Sequence, residues 1–320
     1  MKLTVGSIGY KNHAKTIIDF FNKSNKAVIK KIFYPNKVIA GDKFTNKFSD
    51  LLNQDIILIL SPNHTHYKYL NMLNNKYKGY IFCEKPIASS LIELKKIKNN
   101  PKKTYINFNF IHSQTYELIS KIIKNREIGE IFNGYISASH SFATKKKYKK
   151  SWRSKKKLNQ LGILENVGIH YVNLFHNLYG ESINMRHTIQ NSLETGTAAD
   201  TANILLKINK KFTVYIFLSY ASAYDFQIKL IGSKGIFEII DNKANLYKGN
   251  DFINKNGRLC RAPISKSWLI NSESNYFNSL KKSIDYFLSY CSKNKSLPKK
   301  DFENSIKTNK IMHLAKEINF

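Results

Sequence analysis

Residues 3–14 read LTVGSIGYKNHA. A run of apolar and β-branched residues, Leu3 to Ile8, ends on Gly9, and Ala14, Ile17, Ile18 and Phe21 then recur at helical spacing. This is a short strand passing through a glycine-led turn into a helix, and the same pattern returns along the next hundred residues. Val28 to Tyr34, Ile56 to Leu60, Tyr80 to Cys83 and Tyr105 to Phe110 read as strands. Between them, Phe48, Leu51 and Leu52, then Leu70 and Leu73, then Leu91, Leu94 and Ile97 mark helices. Nearly continuous apolar strands alternating with amphipathic helices predict a doubly wound parallel sheet, with a ligand at the carboxyl ends of its strands.

After Ile111 the pattern changes. A helix from Ser113 to Lys124 leads through Arg126-Glu127-Ile128-Gly129-Glu130 into a strand from Phe132 to Ser139. A lysine-rich segment follows, then a helix through Leu164 to Tyr179. Thr201 to Ile208, Phe212 to Tyr220, Phe226 to Ile231 and Ile236 to Ile240 read as consecutive strands, the last pair joined by the turn Gly232-Ser233-Lys234-Gly235. Helices from Tyr276 to Cys291 and Phe302 to Lys316 close the chain. The pattern predicts an α/β protein of two domains. Residues 1–111 form the doubly wound part, and residues 112–320 an α/β part with a mostly antiparallel sheet.

Composition sets outer bounds. The 320 residues carry 52 Lys and Arg against 22 Asp and Glu, a net charge of +30. Only Arg126, Arg153, Arg186, Arg258 and Arg261 are arginines, so the excess is lysine, used alongside Asn, Ile, Phe and Tyr. Nucleic-acid surfaces lean on the planar arginine fork, and no zinc finger, helix-turn-helix or stacking signature is present, so nucleic acid is not the expected partner. With 42% hydrophobic residues the chain can bury a sizeable core. Its apolar runs are far shorter than the roughly 20 residues of a membrane span, and its start lacks a secretory leader. Cys83, Cys260 and Cys291 show no metal-ligand spacing, so no metal site is expected and a reduced cytoplasmic setting fits.

Three places carry candidate chemistry. The turn Gly9-Tyr10-Lys11-Asn12-His13-Ala14 stands where a dinucleotide fold places G-x-G-x-x-G/A, with Lys11 at the second glycine position; an ordinary strand-to-helix turn reads equally well. The second strand ends at Tyr34, before Pro35-Asn36-Lys37, where a carboxylate would hold the adenosine ribose. At the predicted ligand edge, the third strand ends in Ser61-Pro62-Asn63-His64-Thr65-His66 and the fourth in Glu84-Lys85-Pro86. Lys85, held before a proline, is placed to aim its ammonium at a substrate hydroxyl, unless it is one more solvated lysine. Finally, Asn166, His170 and Asn173 at i, i+4 and i+7 share one helix face, as a catalytic stripe or as a buried polar cluster.

In order and spacing these pieces, SPNHTHY at 61–67, CEKP at 83–86, NFNF at 107–110, REIGEI at 126–131, ENVGIHYVN at 165–173 and GSKGIFEI at 232–239 resemble the Gfo/Idh/MocA family of NAD(P)-dependent sugar oxidoreductases over nearly the whole chain. The resemblance implies a Rossmann domain followed by an open-faced sheet used for dimer or tetramer contacts. It assigns Lys85 to the reacting hydroxyl and His170 to acid/base work, with Asn166 beside it where many relatives have Asp. It assigns cofactor contacts to Gly9, Tyr10, Lys11, Asn12, His13, Tyr34, Ser61, Pro62, Asn63, His66, Glu84 and Lys85. Asn166 is similar to the branch acting on nucleotide-activated amino-uronic sugars.

The expected function is hydride transfer between NAD or NADP and a secondary hydroxyl of a sugar or nucleotide sugar, in surface-glycan synthesis. Lys11 and Lys37 lean toward NADP, whose extra phosphate they would neutralise. Nine cations among residues 145–157 (Lys145, Lys146, Lys147, Lys149, Lys150, Arg153, Lys155, Lys156, Lys157) read as attraction for an anionic substrate, or as a solvated loop. The alternative from another class is a non-catalytic relative serving as a ligand sensor or scaffold. Neither nucleic acid nor a membrane is an expected partner; a homo-oligomer is.

Overall fold

In a computed structural model the described residues are 1–35, 41–180, 183–209, 211–249 and 253–318. Asn36 and Lys37, the latter invoked for an NADP phosphate, lie outside them. The chain divides into two compact units, Met1–Asn109 with Ser279–His313, and Phe110–Asn278 with Leu314–Phe320.

The first unit is built on a parallel sheet. Its strands are β1 (Leu3–Ile8), β2 (Ala27–Phe33), β3 (Phe44–Thr45), β4 (Ile56–Ile59), β5 (Tyr80–Glu84) and β6 (Thr104–Asn107), in the order β3-β2-β1-β4-β5-β6. Helices α1 (His13–Lys23), α2 (His66–Leu73) and α3 (Leu91–Lys95) connect them. All four side chains of β4 are buried, as a strand covered on both faces requires. Two expectations shift: Phe48–Leu51 is a single 3-10 turn, and the strand predicted to Phe110 stops at Asn107, where a 3-10 turn over Asn109–His112 takes up the chain.

The second unit holds α4 (Gln114–Lys124), β7 (Ile131–Ser139), α5 (Lys146–Lys149), α6 (Ile169–Tyr179) and the strands β8 (Ile183–Gln190), β9 (Thr201–Ile208), β10 (Phe212–Ser219), β11 (Asp225–Gly232), β12 (Gly235–Ile240), β13 (Lys243–Lys248) and β14 (Ile264–Leu269). Helices α7 (Ser272–Cys291) and α8 (Lys299–Leu314) and the two-residue β15 (Lys316–Glu317) follow. The sheet order is β14-β13-β12-β11-β7-β10-β9-β8-β15, antiparallel except for β7–β10 and β8–β15. Two quoted motifs meet here: Ser233 N and Lys234 N of the β11–β12 turn donate to Glu130 O and Ile128 O at 2.8 and 2.9 Å.

One boundary moves. The periodicity of the chain places all of 112–320 in a second domain, whereas residues 279–313 belong to the first unit. The reason is core filling. Leu280, Ile284, Phe287, Leu288 and Cys291 form one stripe of α7, and they join the cluster of Phe21, Ile56, Phe82 and Tyr105. Phe287 lies 5.3 Å from the Phe82 ring and 5.8 Å from Tyr105. Fully buried, Phe287 alone removes apolar surface worth about 1.5–3 kcal/mol.

Candidate active site

In the parallel sheet the strand order reverses between β1 and β4, and the loops after these two strands flank the point where such folds bind ligands. Gly9 opens the first loop with φ +103°, and a Cβ there would stand 2.9 Å from Leu60 O and 3.1 Å from Ser61 N. Both contacts are backbone, so only glycine lets the two loops close on each other. Asn12, at φ 51°, caps α1 without a side-chain hydrogen bond, and the first turn carries no acidic residue. The first turn of α1 thus brings no carboxylate of its own to its dipole. Lys11 does not fill this loop: its ammonium leans over the Tyr34 ring, 5.5 Å from the centroid, at the end of β2. Tyr10, half-buried, packs edge-on to Phe44 at 5.2 Å.

In the second loop, Thr65 Oγ1 donates to Pro62 O at 2.7 Å and lies 2.6 Å from Ser61 Oγ, and Asn63 is buried. His66 departs from expectation. Its side chain is fully buried, with Nδ1 2.7 Å from Pro86 O and Nε2 2.8 Å from Ser61 O. Both ring nitrogens face backbone carbonyls, so the ring has no free edge for a cofactor and instead fastens the Ser61 loop to the loop bearing Lys85. Burial pushes its pKa below the ordinary histidine value, against the two carbonyls and Glu84, which pull it up.

Glu84 closes β5 and Lys85 follows, half-buried, joined to Pro86 by a cis peptide bond. The Glu84 side chain is buried, and its Oε1 accepts from Asn107 Nδ2 at 2.6 Å and lies 3.5 Å from His13 Nε2. Burial by itself would raise this carboxyl; the His13 ring, the Asn107 amide and the Lys85 ammonium outweigh it and hold Glu84 below its ordinary value. Glu84 is therefore an acceptor at neutral pH. Sequence reading quoted Asn107 only as part of a motif; that it grips Glu84 had no local signal, because the pair is made by neighbouring strands β5 and β6.

In the second unit, the helix bearing His170 is not uniform. Leu164–Gly168 form a π-helical turn ahead of α6. The i, i+4, i+7 stripe expected for Asn166, His170 and Asn173 assumes an even 3.6-residue period, and the wider turn breaks it at Asn166. Asn166 is buried and its Nδ2 donates to Gly162 O at 2.7 Å and Asn159 Oδ1 at 3.1 Å, so its amide holds the approach to the turn. His170 is half-buried, with its ring 6.1 Å from Phe110. The segment 145–157 is a set of short turns pinned by buried Tyr148 and Ser154, with all eight lysines exposed and Arg153 stacked on Trp152 at 4.5 Å. Among the described residues no cluster of His, Cys, Asp and Glu could hold a metal ion, and no helix is long and apolar enough to cross a membrane.

Residues 4–106 match the family model described as an oxidoreductase family, NAD-binding Rossmann fold, and residues 116–238 match the GFO/IDH/MocA C-terminal domain. The chain belongs to the Gfo/Idh/MocA family of oxidoreductases. It is 25% identical over 261 residues to the glucose-6-phosphate 3-dehydrogenase of Bacillus subtilis (strain 168), covering 75% of this chain and 71% of that one. Its fold is similar to an oxidoreductase from Agrobacterium radiobacter solved with NAD+, L-tartaric acid and magnesium, at TM-score 0.76, 17% identity and coverage of 98% and 95%. It is equally similar to a 3-ketoreductase from Actinomadura kijaniata solved with NADP and TDP-benzene, at TM-score 0.77, 14% identity and full coverage of both chains. Family membership makes the first unit a NAD(P)-binding Rossmann domain. Its residues fit such a cofactor: the close approach at Gly9, the uncapped start of α1 and the ionised Glu84 are the features that a dinucleotide's turn, pyrophosphate and ribose require.

Proposed function

We propose that the protein is an NAD(P)-dependent dehydrogenase or reductase acting on a secondary hydroxyl of a sugar or nucleotide sugar, with surface-glycan synthesis as its setting. The observation that carries the reading is Glu84-Lys85 at the carboxyl end of β5, beside the switch point, with Glu84 kept ionised and Lys85 anchored through the Pro86 carbonyl to His66. A bound nicotinamide accepts or returns the hydride. Gly9, Tyr10, Lys11, Asn12 and His13 line the dinucleotide turn, Tyr34 the adenosine end, and Ser61, Pro62, Asn63 and Glu84 the nicotinamide ribose. NADP is the favoured form, through Lys11.

In the oxidative direction, the Lys85 ammonium donates to the reacting hydroxyl oxygen and stabilises the charge that grows there as the C–H bond breaks. The His170 ring takes the hydroxyl proton, a general-base contribution of about 10²–10⁴-fold, and Asn166 steadies the turn that carries it. A carbonyl, a proton and a reduced cofactor result, and in the reverse direction His170 returns the proton. The cationic segment 145–157 supports an anionic substrate. So does the similarity to glucose-6-phosphate 3-dehydrogenase, whose name states a phosphorylated sugar. The second unit serves substrate binding and self-association; on its sheet Tyr135 and Tyr215 stack at 5.6 Å beside Phe217, all three exposed, an apolar strip that supports a homo-oligomer.

Lys85→Ala and His170→Ala should each cut turnover with NAD(P) and sugar phosphates or nucleotide sugars by orders of magnitude while leaving circular dichroism unchanged; wild-type rates in both would refute the assignment. A second reading, a non-catalytic ligand sensor, draws on Lys11 at the second glycine position and on Tyr34 in place of a carboxylate. Titration with NADH and NADPH separates the two, since absence of micromolar binding by either sinks the enzyme.

A further inference from the structure

The two asparagines of NFNF both reach helix α7. Asn109 Nδ2 donates to Ser279 Oγ at 2.8 Å, and Asn107 Oδ1 accepts from Ser283 Oγ at 2.7 Å. Ser279 and Ser283 are four residues apart, so they form one polar row on the same helix whose apolar residues fill the core. Tyr105 OH stands 2.8 Å from Ser283 Oγ. Tyr105, Asn107, Ser279 and Ser283 are at most 3% exposed and Asn109 is 9% exposed.

The hydrogens in this chain can be followed. A serine hydroxyl has one proton, and here it goes to Asn107 Oδ1, which has no hydrogen to give; the Tyr105 hydroxyl must then donate to Ser283. Burial keeps Tyr105 protonated by raising its pKa, with Ser283 opposing. With Oδ1 fixed by Ser283, the Asn107 amide can only turn its N–H toward Glu84 Oε1, which it meets at 2.6 Å. Flipping the amide would set its carbonyl against a carboxylate. A buried hydroxyl pair contributes little net stability over an apolar replacement, so a row of them inside a core points to orientation as its use.

We infer that Ser283 and Asn107 are positioning residues for the cofactor: through them α7, near the carboxyl end of the chain, sets the direction of the Glu84 carboxylate. The inference rests on the proposed role of Glu84 at the nicotinamide ribose. It extends the site to a helix some 200 residues from that carboxylate in sequence, to which the sequence reading gave no part in it.

The test measures Kd for NADH, NADPH and ADP with Ser283→Ala and Asn107→Asp. ADP occupies the loop after β1 but has no nicotinamide ribose. Losing the orienting bond should weaken the better dinucleotide about threefold in Ser283→Ala and about tenfold in Asn107→Asp, where a second carboxylate faces the first, with ADP unchanged within twofold. In a Glu84→Gln background Ser283→Ala should then have no further effect. Equal losses for ADP and dinucleotide, unchanged dinucleotide binding in both variants, or an undiminished effect in Glu84→Gln would overturn the inference. Should Asn107→Asp not fold, Ser283→Ala carries the test alone. If the wild-type protein binds ADP but neither dinucleotide, the cofactor reading itself fails, and the inference with it.

Discussion

Replacing His66 by leucine tests how the loop bearing Lys85 is held. Leucine has a similar volume and no hydrogen-bonding group, so the change strips the ring from Ser61 O and Pro86 O and alters little else. A neutral imidazole donates from one nitrogen only, so at pH 7.5 one of the two carbonyls has a true donor. Stranding that carbonyl should cost about 1–3 kcal/mol, the upper part of the range for the buried Pro86 O and the lower part for the half-buried Ser61 O. The pH dependence adds a second signature. The folded pKa of His66 is lowered, chiefly by burial, so below the ordinary value of 6.5 the unfolded chain takes up a proton that the folded chain refuses. His66 therefore stabilises fully above that pH, and its share is lost as pH falls, at most about 1.4 kcal/mol per pH unit. The gap between wild type and His66→Leu should accordingly be widest near pH 7.5 and narrow toward pH 5.5. Urea unfolding followed by circular dichroism is the suitable assay, because Trp152 and Trp268 both lie in the second unit and their fluorescence would report that half. A loss below about 0.5 kcal/mol at pH 7.5, under the expected range, or a gap that stays constant with pH, would refute the reasoning.

Gly9→Ala should abolish dinucleotide binding and lower stability by about 1–2 kcal/mol from the positive φ alone, since the added Cβ meets immovable backbone at Leu60 and Ser61; isothermal titration with NADPH and a urea melt check both. Gly162→Ala drives a Cβ into Ala199 O at φ +58°, and it should damage the turn before His170 severely enough to appear as loss of soluble protein or a lowered Tm. Phe287→Ala should cost about 3–5 kcal/mol through the cavity left against Phe82 and Tyr105, and weaken cofactor binding through the core on which Tyr10 also packs; an unchanged melt would contradict the placement of α7.

The strands β4 and β5 were readable from sequence because each holds an unbroken apolar run, the mark of a strand covered on both sides; β1, which carries Thr4, Gly6 and Ser7, was readable from the glycine-led turn and helical spacing that follow it. β14 was missed for the opposite reason: five of its six side chains are exposed on a sheet edge, so no burial pattern is imprinted on Ile264 to Leu269. The π-helical turn left no trace either, since Leu164 to Gly168 suits an α-helix equally well by composition. Glu84 and Lys85 could be singled out by their place at a strand end. The service of His66, Asn107 and Ser283 could not, because each acts through a partner 20 or more residues away. The apolar stripe of α7 was visible as periodicity; which of two cores it fills is a property of the assembled chain.

That last feature bears on how the protein is made. The first unit lacks Leu280, Ile284, Phe287 and Leu288 until residues 110–278, an intervening stretch of 169, have been synthesised. At roughly 5–20 residues per second this is a delay of about 10–30 s. During it the rings of Phe21, Phe82 and Tyr105 have no α7 to cover them, and Glu84 and Asn107 have no Ser283. The sheet of the second unit, all but β15, can meanwhile form as it emerges. A chain cut short before residue 283 therefore lacks both the α7 stripe in the core of its first unit and the Ser283 bond that orients Asn107.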